Sequence, residues 1–270
     1  MSPKYITKLE GKFVVVIGGT SGIGFAVAEA SVEFGARVVV ASRSQERVDD
    51  AVKKLVTSYP DAGNRIRGHV VNLYGNESEA SITELFESIT DGGRDQVDHV
   101  VETAGESIGS LTLPEVTPQS IAEATSSRVT GSVMLAKVVG NYLKKANTSS
   151  LTFTGGALAD KPPPGMSVMA SIGGAKNSLT RGLTVDLSPV RVNLVSPGAV
   201  QTAVLDSFFE SMGLEKGSAD FEAAKTMLKN ASVSGRIGDP EDVAEAYLSL
   251  MRNHFVTGTV LDVNGGMFLK

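Results

Sequence analysis

The chain has no cysteine and no tryptophan. The missing cysteine excludes disulfides, thiolate nucleophiles and cysteine-ligated metals. The three histidines, His69, His99 and His254, lack the spacing of a ligand set, so no metal is expected and they read as structural. No apolar run approaches the ~18 residues of a membrane span. The opening Met-Ser-Pro-Lys-Tyr-Ile-Thr-Lys lacks the apolar stretch of a secretion signal, so a soluble, cytoplasmic protein is expected. Basic excess is also absent: the net charge of −5 is the opposite of what a nucleic-acid surface needs. Repeats, low-complexity tracts and Pro/Ser linkers are missing too, so nothing divides the chain. What remains is 270 residues, 41% hydrophobic and 20% charged, enough to build one substantial core.

Short β-branched runs alternate with longer helical segments. Phe13 to Ile17, Arg37 to Ala41, Arg67 to Val71, His99 to Thr103, Leu151 to Thr154, Arg191 to Val195 and Val260 to Val263 read as strands. Helices are expected from Ile23 to Phe34 and near 46–58, 76–90, 118–145, 168–187 and 239–253. This rhythm predicts right-handed βαβ crossovers, hence a single α/β domain of Rossmann type: a doubly wound parallel sheet with helices on both faces. Two segments break it. Asp160-Lys161-Pro162-Pro163-Pro164-Gly165 cannot be regular helix or central strand. Residues 201–235 form an insertion with Phe208, Phe209, Met212, Phe221, Met227 and Leu228, placed where such folds carry substrate lids.

Between the first strand and first helix stands Gly18-Gly19-Thr20-Ser21-Gly22-Ile23-Gly24. Glycines permit a tight turn there and let backbone amides approach a pyrophosphate, beside a helix N-terminus of partial positive charge. A glycine-rich run is weak evidence alone; its strand–turn–helix context predicts a dinucleotide site. The second strand ends in Ala41-Ser42-Arg43-Ser44. An NAD site usually has a carboxylate here for the ribose 2′-hydroxyl. Two hydroxyls and a guanidinium instead suit a 2′-phosphate, so NADP(H) is expected, although Arg43 could also be a solvated loop charge.

Beyond these elements the chain resembles the short-chain dehydrogenase/reductase family over nearly its whole length. Asn72-Leu73 looks like its adenine-contacting pair, and Glu102-Thr103-Ala104-Gly105 like its Asn-Asn-Ala-Gly element with both asparagines replaced. Arg191 through Thr202, including Pro197, Gly198 and Val200, resembles the segment that clasps the nicotinamide carboxamide. Gly238 through Ala244 and Thr257-Gly258 through Gly265-Gly266 match the C-terminal signature. The resemblance implies a homodimer or homotetramer formed through helices 118–145 and 168–187.

Ordinary members reduce a carbonyl with a Ser, a Tyr, a Lys and an Asn. Those positions fall here on Gly156, Met169, Gly173 and Arg128, and all four groups are gone. None of the five tyrosines (Tyr5, Tyr59, Tyr74, Tyr142, Tyr247) lies in the 168–187 helix. Lys176, one turn beyond Gly173, is expected at a surface or interface, with a reach to the cofactor ribose as the alternative. Asp160 is the candidate acid/base or cation stabiliser, held by the proline run, and Arg128 the group that orients it or grips a substrate carbonyl. Loop capping and a structural ion pair are the ordinary alternatives for these two. Glu102 is a weaker third candidate. Small Gly156 and apolar Met169 would line a pocket for a bulky, hydrophobic small molecule.

The pattern also resembles an atypical fungal subset that includes the reductase/Diels–Alderases of prenylated indole alkaloid pathways, of the malbrancheamide and paraherquamide type. That resemblance implies NADPH reduction of a cyclic iminium followed by intramolecular [4+2] cycloaddition. A non-catalytic NADP(H) sensor or scaffold, or a carbonyl reductase with displaced groups, are the alternatives.

Overall fold

The computed structural model describes residues 4–105 and 111–270; Met1, Ser2 and Pro3 of the opening segment lie outside the described residues. The strands are β1 (Phe13–Ile17), β2 (Arg37–Ser42), β3 (Ile66–Val70), β4 (His99–Glu102), β5 (Ser150–Thr154), β6 (Arg191–Pro197) and β7 (Val260–Val263). They form one parallel sheet in the order β3-β2-β1-β4-β5-β6-β7. Strand order reverses between β1 and β4, so their carboxyl ends open the crevice where such sheets bind ligands.

β1 reads Phe-Val-Val-Val-Ile and is buried at every position, as a central strand covered on both faces must be. Its alternation splits the core in two. Val14 and Val16 pack with α1 (Gly22–Glu33), α2 (Gln45–Ser58) and α9 (Pro240–Arg252), which covers the same face. Val15 and Ile17 pack with α3 (Ser78–Thr90) and α5 (Gly131–Val139) on the other face. Each fully buried Val or Ile contributes about 1.5–3 kcal/mol.

The helix expected over 118–145 is not continuous. It consists of α4 (Pro118–Thr125), a π-helical turn (Ser126–Thr130) and α5 (Gly131–Val139). Pro118 and a reciprocal Thr117–Ser120 cap start α4. After Gly140 the chain leaves the helix because Val97 draws it into a bridge, its amide donating to Tyr142 O at 2.9 Å. The 157–167 segment contains a 3₁₀ turn (Ala157–Ala159) before α6 (Ser167–Asp186). The 201–235 insertion holds two helices, α7 (Ala203–Ser211) and α8 (Ala219–Ala231). Phe209 and Phe221 are buried edge-to-face against each other at 5.3 Å, so they bind α7 to α8. No helix among the described residues is long and apolar enough to cross a membrane.

Candidate active site

At the end of β1, Gly18 takes φ +88° and Gly22 φ +51°. A Cβ on Gly18 would stand 2.6 Å from both the Ala104 amide and Thr103 Oγ1; one on Gly24 would strike Gly18 O and Thr103. Only glycine lets this turn nest against β4, and Ser21 then stands at the N-cap of α1. The cradle fits a dinucleotide pyrophosphate, with the α1 N-terminus opening from it. Thr20 lies within the same turn, and Ile23 in the first turn of α1.

The structure brings other expected cofactor residues to this cradle. Thr202 caps α7, and its Cγ2 would lie 3.1 Å from a Gly22 Cβ. Gly198 packs so closely that its Cβ would meet Asn264 Cα at 2.8 Å, and its amide donates to Val263 O at 2.9 Å. Val200 bridges to Gly238, which fixes the Pro197–Thr202 segment beside β7. Ser42 Oγ accepts from Ser44 N at 3.4 Å, and Ser44 Oγ accepts from Arg47 N at 3.3 Å to cap α2. Arg43 lies between them, its guanidinium 4.7 Å over the Tyr74 ring. Asn72 exchanges side-chain bonds with the Tyr74 backbone, at 3.1 Å to N and 3.0 Å to O. Leu73 is buried, its carbonyl backed by Gly131.

At the reacting end, Gly156 has open space where a side chain would stand. Gly173 does not: a Cβ there would meet Ala159 Cβ at 3.3 Å. A side chain at Gly173 would therefore press on the 157–159 turn at its first carbon. Met169 is half-buried near the start of α6. Arg128 rises from the π-helical turn, its Nη1 4.0 Å from where a Gly105 Cβ would be. Such turns widen a helix by one residue and recur at functional sites. Asp160 is exposed at the end of the 3₁₀ turn. Burial raises the Asp262 carboxyl above its ordinary range; a Ser196 hydrogen bond opposes this, and the Asp160 charge adds to it. Next to Asp160, Lys161 donates to the Met267 carbonyl at 2.7 Å and also to that of Lys270, tying this loop to the chain end.

Two sequence expectations need correction. Lys176 is not at a surface or interface; it is buried, and its Nζ stands 2.7 Å from Glu102 Oε2. Glu102 is therefore not a pocket carboxylate but half of an internal ion pair. Lys176 also donates to Thr154 O at 3.2 Å, and Ser132 Oγ to Glu102 Oε2 at 3.4 Å. The signal was available: Ile172, Lys176 and Thr180 recur every four residues as the buried stripe of α6. Glu102 follows the apolar Val100-Val101 in a central strand, where a carboxylate needs a buried partner.

The tyrosines offer no displaced acid. Tyr59 donates to Glu33 at 2.6 Å, Tyr142 stacks on Phe86, Tyr74 lies under Arg43, and Tyr5 is exposed. Tyr247 is fully buried on α9, with its hydroxyl 2.6 Å from Thr154 Oγ1. Thr154 Oγ1 already donates to Glu102 O at 2.6 Å, so the Tyr247 hydroxyl is the donor in that contact. Burial pushes its pKa up. His99 is also buried, with Nδ1 2.9 Å from Ser150 Oγ, and burial lowers it to about 3.

The chain matches the family model for an SDR-like Rossmann domain over residues 5–270. It is 38% identical over 262 residues to the short-chain dehydrogenase/reductase ATR9 of Stachybotrys chlorohalonatus, covering 97% of this chain and 99% of that one. The solved structure of the MalC reductase/Diels-Alderase from Malbranchea aurantiaca superimposes with a TM-score of 0.88 at 35% identity, covering 98% and 99% of the two chains. An NADPH-bound short-chain oxidoreductase from Pseudomonas aeruginosa, described as containing an atypical catalytic center, matches with a TM-score of 0.82 at 25% identity over 95% and 98%. The Gly18–Gly24 cradle, the strand order and these matches make one statement: the chain belongs to the short-chain dehydrogenase/reductase family.

Proposed function

We propose that this protein is an NADP(H)-dependent reductase of a cyclic iminium cation, and that the reduced product closes by intramolecular [4+2] cycloaddition in the same pocket. The observation that carries this reading is the open space at Gly156, with the half-buried Met169 and Gly173, its side-chain position pressed by Ala159, where ordinary members carry their acid and its lysine. Reduction of a neutral ketone needs a proton on oxygen as hydride arrives, worth commonly about 10²–10⁴-fold. An iminium already carries the charge and needs no such acid. When bound, the reduced dinucleotide supplies the hydride; the protein's task is to hold a bulky, apolar cation in one attack arrangement.

The residue roles follow from this. Gly18 to Gly24 cradle the pyrophosphate, and Arg43 with Ser42 and Ser44 receives the 2′-phosphate. Asn72 and Leu73 face the adenine, and Ala104, Gly105, Pro197, Gly198, Val200 and Thr202 enclose the nicotinamide. Arg128 grips a substrate carbonyl beside Gly105, and the Asp160 carboxylate balances the substrate cation from the pocket mouth. The 201–235 insertion forms the lid, with Val204, Met212, Met227 and Val233 as its large exposed apolar side chains. Two copies associate across the apolar groove between α4 and α6, lined by Leu113, Ile121, Val129 and Val168, which a molar-mass measurement in solution tests. The relative described as a reductase/Diels-Alderase and the NADPH-bound neighbour support the reaction and the cofactor.

Single-turnover NADPH oxidation with a cyclic iminium, and with a ketone of the same shape, tests the proposal. Faster oxidation by the iminium, by about 10²-fold or more, is the expected result. Equal rates would mean a carbonyl reductase with displaced groups. Oxidation by neither, despite tight cofactor binding, would mean a sensor or scaffold.

A further inference from the structure

The loop after β2 and the loop after β3 are joined by more than sheet pairing. Val71 N donates to Ser42 O at 2.9 Å, which brings residues 42–44 alongside residues 71–74. Asn72 fixes the Tyr74 backbone through both ends of its amide, and its own backbone N–H donates to Ser81 Oγ at 2.9 Å. The Tyr74 ring packs against the buried cluster that includes Leu73 and Ile82. It is thus a braced platform, and the Arg43 guanidinium lies 4.7 Å above it.

A guanidinium over an aromatic ring is attracted to it electrostatically, and the contact removes torsional freedom from the long side chain. An unstacked arginine would lose that freedom only on ligand binding, at a cost to affinity.

We propose that Tyr74 is a cofactor-specificity residue: it holds Arg43 ready for the 2′-phosphate, so part of the preference for NADP(H) resides in the loop after β3. This rests on the reading of Arg43 as the 2′-phosphate site, and the test separates the two. Calorimetric titration with adenosine 2′,5′-bisphosphate and with 5′-AMP measures the phosphate increment without any turnover.

In Tyr74→Leu the bisphosphate should bind about 3- to 30-fold more weakly, with 5′-AMP within about twofold of wild type. Tyr74→Phe keeps the ring and should behave as wild type. Arg43→Ala should lose more, and Arg43→Ala/Tyr74→Leu no more than Arg43→Ala alone. Arg43→Lys, which keeps the charge but not the planar fork, covers the case in which Tyr74→Leu does not fold. Made alone or together with Tyr74→Phe, it should give the same intermediate loss. An unchanged bisphosphate-to-AMP ratio in Tyr74→Leu, with a large loss in Arg43→Ala, would overturn the proposal alone. Equal loss of both ligands in Tyr74→Leu would make Tyr74 an adenine platform, which also overturns it. No loss in Arg43→Ala would overturn the 2′-phosphate reading itself.

Discussion

Lys176 on α6 and Glu102 on β4 form a salt bridge of 2.7 Å, with side-chain exposures of 8% and 2%. The pair lies between the strand ends that lead to Ala104-Gly105 and Gly155-Gly156, beneath the reacting end of the crevice. Through Thr154 and Ser132 it joins β4, β5, α5 and α6. Two charges are held inside the core, beside Val100 on β4 and Ile172 on α6. Each is tolerable only because the other is present.

Removing one partner should therefore be far worse than removing both. Lys176→Met leaves a buried carboxylate and should cost about 3–5 kcal/mol, read by urea denaturation. Lys176→Met/Glu102→Gln should recover most of that loss. If the double variant were as unstable as the single one, the cost would lie in packing and not in charge.

Rebuilding the absent catalytic groups should fail for a steric reason. Gly156→Ser enters open space and should fold normally. Gly173→Lys sets its Cβ 3.3 Å from Ala159 Cβ, which must yield slightly, and should cost about 1–3 kcal/mol. The triple variant Gly156→Ser/Met169→Tyr/Gly173→Lys should show no ketone reduction above background. NADPH oxidation with a ketone at a normal rate would show that the 157–159 turn yields easily.

Arg128→Ala should lower single-turnover iminium reduction by about 10²-fold with NADPH affinity unchanged. Asp160→Ala, at an exposed position, should act mainly on substrate affinity, about tenfold, and less on the rate. Unchanged turnover in both variants would remove these residues from the site.

Acid should weaken the fold through His99. Burial lowers its folded pKa to about 3, while the unfolded imidazole takes up its proton near the ordinary value of 6.5. Its contribution is complete above pH ~6.5, declines as the pH falls and levels off near the folded value. The loss by pH 5 is about 2 kcal/mol. In His99→Asn the stability difference between pH 7.5 and pH 5 should shrink accordingly, measured by denaturant unfolding at both pH values.

Legibility of the fold and site varied with the range of the interactions involved. Phe13–Ile17 and Val260–Val263 were readable to the residue, because short valine-rich runs in this rhythm have few other solutions. The break of the 118–145 helix was not readable. Ser126 to Thr130 contain nothing that forbids an ordinary helical turn, and the bridge that ends the segment depends on Val97. The mutual burial of Phe209 and Phe221 was not readable either, because sequence shows that a residue is apolar, but not which neighbour it buries against.

The amino-acid sequence by itself determined the glycine cradle, the α/β order, and the loss of the Ser, Tyr, Lys and Asn groups. These are local facts: a glycine is needed where a backbone turns left or approaches another closely, and an absent hydroxyl is absent in any fold. Only the tertiary structure decided that Lys176 meets Glu102, that Arg43 lies on Tyr74, and that Ala159 fills the space beside Gly173. Each joins residues on different elements, and the sheet register and helix rotation that set those distances arise from packing the whole core.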